Sequence, residues 1–270
     1  MNILERIINH KKKEVAERVS LYPTTLLQRS PYFQTTPLSL VSYLKRPEGH
    51  GIIAEIKRKS PSKGAINLYV DVEQTSIGYM QSGASALSVL TDNEFFGGSN
   101  ADLTTARKFN YCPILRKDFI IDEYQITEAK SIGADAILLI AAALTPEQCR
   151  TLAKYANDLN MEVLLEVHNC NEIESYLNEY VQLVGVNNRD LRTFETRLET
   201  SINLGEIIPD SFLKISESGL KTPKDVELLK QHGYSGFLMG ERFMQEANPA
   251  KACSEFIRQL STNAHSKSVI

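Results

Sequence analysis

The 270 residues include no tryptophan, and the four cysteines, Cys112, Cys149, Cys170 and Cys253, stand too far apart for a CxxC motif. Paired-thiol zinc and redox sites are therefore excluded. A chain of this length can build a large core without disulfide staples, so reduced thiols and a cytoplasmic location are expected. The five histidines form neither HxH nor HExxH, so no metal is implied. Neither GxGxxG nor a P-loop fingerprint occurs, and no cofactor is expected. Charge of one sign is also scarce: a net charge of −3 and a pI near 6.0 give no field for holding nucleic acid. Any anion must then be met by a local cluster, which points to a small-molecule ligand. No stretch of 18 apolar residues occurs, and the N-terminus MNILERIINHKKKEVAERVS is an amphipathic, charged helix pattern without a signal-peptide core. Neither membrane insertion nor secretion is expected.

What the sequence does have is alternation. Apolar runs of strand length recur at Gly51–Lys57, Ala86–Leu90, Pro113–Lys117, Ala136–Ala141, Glu162–Val167, Leu183–Asn187, Phe212–Glu217 and Ser235–Gly240. Segments of helical periodicity lie between them, among them Val72–Ser82, Asp122–Ile132, Pro146–Leu159 capped by Thr145, and Pro223–Gln231 capped by Thr222. Gly83, Gly133 and Gly233 stand where three of these helices should end. Eight strand-helix units predict a closed (β/α)8 TIM barrel rather than a doubly wound sheet, which would need fewer strands. The first 45 or so residues, with helices over Ile3–Val19 and Leu38–Leu44, are too few for a separate domain. Residues 1–270 are thus expected to form one barrel domain, with residues 1–45 as an N-terminal helical extension packed on it. The tail Leu260–Ile270 lacks periodicity and is expected to fray.

A barrel of this kind does its chemistry at the C-terminal ends of its strands. In the segment AEIKRKSPSKG, side chains two apart share a face, so Glu55 and Lys57 point one way while Ile56 and Arg58 point the other. Beyond this first strand, the third ends in Lys117, the fifth in Glu166, the sixth in Asn187 and Arg189, and the seventh in Glu217 and Ser218. Polar groups at the ends of apolar strands are expensive to bury without a use, so the set reads as a site. Ser218-Gly219 and Gly240-Glu241 occupy the loops where such barrels hold phosphate on backbone N–H groups, and Ser60 and Arg189 can add a hydroxyl and a fork-shaped cation. Glu55, Lys57, Lys117, Glu166, Asn187 and Glu217 remain as an acid–base set, in which lysines crowded by other cations would have lowered pKa values. His168, two residues beyond Glu166, reads either as a proton relay or, the favoured reading, as a structural neighbour.

The motifs IAEIKRKSPSKG, PILRKDFI, LLEVH, VGVNNRDLRTFE, SESGL and GFLMGERFM, in this order, closely resemble the indole-3-glycerol phosphate synthase family of tryptophan biosynthesis. The resemblance covers nearly the whole chain. It implies ring closure of 1-(2-carboxyphenylamino)-1-deoxyribulose 5-phosphate with loss of CO₂ and water, needing neither cofactor nor metal, on a barrel with an N-terminal extension. Carried over by position, it makes Lys117 the acid that protonates the ketone oxygen and Glu166 a second proton-transfer group. Glu55 with Asn187 would handle a proton in the dehydration, and Lys57 would either hold the substrate carboxylate or protonate the departing hydroxyl. Ser60, Arg189, Ser218, Gly219, Gly240 and Glu241 match the phosphate site, the last two through their backbone. Pro61, Phe95, Phe119, Leu138 and Leu191 would line the slot for the aromatic ring, with Phe96 as the alternative to Phe95. With strand-helix units for one barrel, the chain is expected not to be the form fused to phosphoribosylanthranilate isomerase. A monomer is expected, with docking to other tryptophan-pathway enzymes left open. Two readings compete: the isomerase one step earlier, which needs only one acid and one base, and a non-catalytic phosphate sensor, which would have no use for Lys117 and Glu166.

Overall fold

Eight parallel strands close on themselves in the computed structural model, which describes residues 2–190 and 193–267. They are β1 (Ile52–Ile56), β2 (Ala86–Leu90), β3 (Ile114–Lys117), β4 (Ala136–Ile140), β5 (Glu162–Val167), β6 (Leu183–Asn187), β7 (Leu213–Glu217) and β8 (Tyr234–Met239). Each pairs with its sequence neighbours, and β1 pairs with β8 to complete the ring. All eight expected strands are present, with ends shifted by at most a residue, and the chain is a (β/α)8 TIM barrel.

Period-two alternation sorts the strand residues into two cores. Ile53, Leu115, Leu138, Leu164, Leu183, Ile215 and Leu238 fill the interior. Ile52, Ala54, Ile56, Val89, Leu139, Val163, Val186 and Phe237 pack outward against the helices. Because both faces are buried, the strands read as continuous apolar runs rather than alternating ones.

The N-terminal arm serves both ends of the barrel. Helix α1 (Ile3–Leu21) starts at an Asn2–Glu5 capping box, in which each side chain accepts a bond from the other residue's backbone N–H. It buries Ile7, Lys11 and Val15 on one stripe, and Ile3, Leu4 and Ile7 reach the C-terminal mouth. Further on come α2 (Thr24–Leu27) and α3 (Leu40–Leu44), the latter capped by the Ser39 hydroxyl. Leu40 and Leu44 join the interior cluster at the opposite end, where burial contributes roughly 1.5–3 kcal/mol per side chain. Ser39 Oγ and the Val41 N–H both donate to Glu162 at the start of β5, which fixes this plug.

The helices around the barrel are α4 (Val72–Gln81), α5 (Asn100–Phe109), α6 (Glu123–Ser131), α7 (Pro146–Asp158), α8 (Cys170–Tyr176), α9 (Glu199–Gly205), α10 (Pro223–Gln231), α11 (Glu241–Met244) and α12 (Pro249–Lys267). Thr145 and Thr222 cap α7 and α10 as expected, each followed by Pro at the first helical position. The expected frayed tail is corrected: the chain stays helical through Lys267, and residues 268–270 lie outside the described range. The apolar stripe of Ala252, Cys253, Phe256, Ile257 and Leu260 is buried on the barrel. Most of that stripe precedes Leu260, so a helix already nucleated and docked carries the polar tail along.

Candidate active site

The inward-pointing positions that carry leucine and isoleucine at mid-strand carry polar groups one step further on. Glu55 on β1, Lys117 on β3, Glu166 on β5, Asn187 on β6 and Glu217 on β7 line one cavity of about 530 Å³ at the C-terminal mouth, together with Lys57 just beyond β1. That volume suits a small organic ligand. At its centre the Lys117 ammonium lies 3.2 Å from Glu166 Oε2 and 3.2 Å from Glu217 Oε2. Asn187 Nδ2 donates to Glu166 Oε1 at 3.0 Å. On β1, Lys57 Nζ donates to Glu55 Oε1 at 2.7 Å, and Ser88 Oγ donates to the other oxygen. Two glycines make room for the carboxylates. A Cβ on Gly185 would lie 2.3 Å from Glu217 Oε1, and one on Gly240 would lie 2.6 Å from Glu55 Oε1.

The electrostatics correct one expectation. Lys117 is crowded by carboxylates, not by cations. Burial alone would lower its pKa, but Glu217, Glu166 and Glu55 outweigh that and raise it above the ordinary lysine value. Burial would raise the Glu166 carboxyl, yet Lys117 and His168 hold it well below the usual carboxylate range. Glu217 goes the other way: burial pushes it up to about 7, helped by the negative charges of Glu166 and Glu55 and opposed by Lys117. Two carboxylates flanking one ammonium are thus driven apart, one firmly ionised and one able to carry a proton near neutral pH.

The same cavity is also lined by Ser60, Arg189, Ser218, Gly219, Gly240 and Glu241. Ser218 and Gly219 both take positive φ, 67° and 78°, and a Cβ on Gly219 would meet Thr196 Cγ2 at 2.5 Å. Ser218 is one of three non-glycine residues at positive φ among the described residues, a costly backbone conformation that marks this turn as part of a functional site. Gly240 precedes the first turn of α11. Arg189 Nη1 donates to Ser62 Oγ at 2.6 Å and Nη2 to Glu241 Oε2 at 3.0 Å, while Lys63 Nζ lies 3.4 Å from Glu241 Oε1. Glu241 therefore brings its side chain as well as its backbone to this lining, and Ser62 and Lys63 are additions to the expected set.

The apolar wall contains Pro61, Phe119 and Leu138. Phe96 lines it in place of the expected Phe95, with its ring 5.9 Å from that of Phe119. Phe95 instead packs edge-on against His10 of α1 at 5.7 Å. Both backbone N–H groups donate to Asp92 Oδ1, and that tight turn sends the two rings to different sides. Leu191 lies outside the described residues.

Next to the cavity runs a charged network that lies outside the expected site residues. Lys11, fully buried on α1, places Nζ 3.0 Å from Asp92 Oδ2, 3.0 Å from Asp118 Oδ1 and 2.8 Å from Glu14 Oε2. Asp118 also accepts from Thr91 and Arg116, and Arg116 donates onward to Glu128 on α6. Arg18, two turns along α1 from Lys11, pairs with the same Glu128. Lys117 thus sits between two residues locked to this network. Among the described residues, no three His, Cys, Asp or Glu side chains converge as a metal site.

The family model for indole-3-glycerol phosphate synthase matches residues 4–256. An indole-3-glycerol phosphate synthase of Bacteroides thetaiotaomicron is 44% identical over 259 residues, covering 96% of this chain and 99% of the relative. One from Chromobacterium violaceum is 42% identical over 256 residues, with coverages of 94% and 97%. One from Bordetella pertussis is 48% identical over 199 residues, with coverages of 74% and 76%. A solved structure described as native KDPGal aligns with a TM-score of 0.57 at 12% identity, covering 87% of this chain and all of that one, a likeness of fold alone.

Proposed function

The chain belongs to the indole-3-glycerol phosphate synthase family, and from that premise we propose how its residues divide the reaction. It is a carboxy-lyase of tryptophan biosynthesis, closing 1-(2-carboxyphenylamino)-1-deoxyribulose 5-phosphate to indole-3-glycerol phosphate with loss of CO₂ and water. The observation that carries the assignment of roles is the Lys117 ammonium held between Glu166 and Glu217, in a cavity lined both by apolar side chains and by groups suited to an anion.

The aromatic ring rests against Pro61, Phe96, Phe119 and Leu138, which puts the ketone near the Lys117 ammonium. As the carboxylate-bearing ring carbon attacks the ketone, Lys117 donates a proton to its oxygen. A strongly basic lysine suits this step, because the developing alkoxide is more basic than an amine. The new C–C bond leaves the ring cationic, and CO₂ departs with its electron pair restoring aromaticity. Lys57 and Glu55, in contact at 2.7 Å, then serve as acid and base for the dehydration. Lys57 protonates the leaving hydroxyl and Glu55 takes a methylene proton, with Asn187 orienting Glu166 alongside. Ser60, Arg189, Ser218, Gly219 and the backbone at Gly240–Glu241 hold the phosphate, which fixes the substrate for the chemistry at its other end.

Supplying the purified protein with the carboxyphenylamino-deoxyribulose phosphate and following indole fluorescence together with CO₂ release tests this reading. Folded protein that releases neither would overturn it. Residues 1–270 are taken as one domain that works as a cytoplasmic monomer. The unpaired cysteines support the cytoplasmic location, and the closed ring of eight strands supports a single domain. Sedimentation, alone and with other tryptophan-pathway enzymes, checks the monomer and any docking.

A further inference from the structure

The run Asn187-Asn188-Arg189 at the end of β6 brings its first and third residues to the cavity, whereas Asn188 is not part of the lining and is only 3% exposed. A buried carboxamide needs partners for its donors and its acceptor, and this one finds them. Asn188 Nδ2 donates to Ser216 Oγ and to the Ser218 carbonyl, both at 3.0 Å, and Oδ1 accepts from the Ser201 N–H on α9 at 3.0 Å. Because a backbone N–H can only donate, the carboxamide has one orientation. Its backbone is pinned as well: the N–H donates to the Glu217 carbonyl at 2.9 Å, and the carbonyl accepts from the Arg197 N–H at 3.0 Å.

The bond to the Ser218 carbonyl acts on the turn that lines the cavity. With φ at 67°, Ser218 keeps a conformation that persists only where its surroundings hold it. The peptide from Ser218 to Gly219 is trans and planar, so the Gly219 N–H points opposite to the Ser218 carbonyl. Holding that carbonyl on Asn188, which lies outside the lining, turns the N–H of Gly219 away from Asn188. Rotating the peptide plane the other way would break this bond and exchange the N–H for a carbonyl oxygen, which repels an anion.

We propose that Asn188 is a positioning residue for the substrate phosphate, holding the Ser218 carbonyl so that the Gly219 N–H is kept turned to the bound anion. The inference rests on the phosphate assignment made above and adds the residue that orients one of its backbone donors. Asn188 touches no substrate and acts through a single peptide plane. Its other partners form a network of their own: Ser201 Oγ and Ser216 Oγ lie 2.8 Å apart, and the Tyr234 hydroxyl donates to the Ser201 carbonyl at 2.6 Å. These side chains support Asn188 and α9 without bonding the Ser218 carbonyl, which makes them the natural controls.

The test compares Asn188→Leu, which keeps the size of the side chain and removes its donors, with Ser216→Ala and Tyr234→Phe, which loosen the network and leave the Ser218 bond in place. Asn188→Leu should raise KM and weaken competitive inhibition by inorganic phosphate, each by about tenfold or more, the size of a hydrogen bond to a charged group. Its kcat should fall much less, because phosphate is held in ground and transition states alike. The two controls should lose thermal stability and keep KM and phosphate inhibition. A second measurement needs no variant: in the unaltered protein, titration with inorganic phosphate should move the Gly219 amide proton resonance downfield. Unchanged KM and phosphate inhibition in Asn188→Leu, equal losses in the two controls, or a Gly219 amide that does not respond would each overturn the positioning role and leave the reaction itself intact. Failure of the unaltered protein to make product would instead sink the functional reading.

Discussion

Lys11 Nζ lies 3.0 Å from Asp118 Oδ1, and Asp118 is the residue that follows Lys117 in the chain. The N-terminal helix is thereby bonded to the strand end that carries the central ammonium of the site. Removing the lysine would leave Asp118 and Asp92 buried without their main counter-ion, which typically costs about 3–5 kcal/mol. Lys11→Met should therefore lower the melting temperature markedly and reduce kcat by loosening Lys117. Adding Asp118→Asn should recover part of the lost stability. A double-mutant cycle that gives purely additive effects would show that the pair is not coupled.

The same pair sets an acid limit. Burial would raise the Asp118 carboxyl, but Lys11, Arg116 and the Thr91 hydroxyl bring it down from 3.8 to about 2. A folded-state pKa below the unfolded one means that the stabilisation is present above pH 4 and is lost as the pH falls through about 2. The size is about 2 kcal/mol. Denaturant titrations between pH 5 and 2 should show a shallower loss of stability for Asp118→Asn than for the parent. An unchanged slope would place the acid sensitivity elsewhere.

The barrel and most of its mouth were legible because both depend on short-range periodicity. Two-residue alternation put Glu55 and Lys57 on one face of the first strand, and the ends of the later apolar runs marked Lys117, Glu166 and Glu217. The arm was harder to read, because its partners are distant in sequence. In the run Lys11-Lys12-Lys13 only the first lysine is buried, and locally the three look alike. The available signal was the four-residue spacing of Ile7, Lys11 and Val15, which puts Lys11 in the middle of an otherwise apolar stripe. The choice between Phe95 and Phe96 turned on Asp92 capping a loop, which neither strand nor helix periodicity reaches.

Lys117 and Lys57 should separate by the step at which they stop the reaction. Lys117→Met should abolish CO₂ release as well as indole formation, because decarboxylation follows cyclisation. Its loss should exceed about tenfold and fall toward the 10²–10⁴ range of a general acid. Lys57→Met should still release CO₂ and accumulate an unaromatised precursor of the indole, since its ion pair is with Glu55, whereas Lys117 pairs with Glu166 and Glu217. Failure of Lys57→Met at the first step, with a raised KM, would mean that Lys57 anchors the substrate carboxylate instead.

Neighbouring residues at the end of β1 should fail in opposite ways. Glu55 points into the cavity, whereas Arg58 makes two bonds to Asp102 on α5, at 2.5 and 2.9 Å, and one to the Gly97 carbonyl. Glu55→Gln keeps the shape and removes the base, so kcat should fall with little change in thermal midpoint. Arg58→Met should lower the thermal midpoint and largely spare turnover. A folded but inactive Arg58→Met beside a fully active Glu55→Gln would shift the functional face of this strand by one residue.

Arg189 and Glu241 give the sharpest test of the phosphate wall. A phosphate monoester carries about −1.5 to −2 charges near neutral pH, and a helix N-terminus supplies only about half a positive charge, so a side-chain cation is needed. Arg189 is placed to provide it, but one arm of its fork is bonded to Glu241, whose other oxygen faces Lys63. A bound phosphate must share these cations with Glu241 or displace its carboxylate. Arg189→Ala should thus raise KM by roughly 10- to 100-fold, the size of a charged hydrogen bond, with a smaller effect on kcat because the contact is made in ground and transition states alike. Glu241→Gln removes the competing charge and leaves the backbone N–H groups in place, so it should tighten competitive inhibition by inorganic phosphate. If Arg189→Ala instead loses kcat at constant KM, Arg189 belongs with the acid–base set; if Glu241→Gln weakens phosphate inhibition, its carboxylate positions Arg189 rather than competing for it.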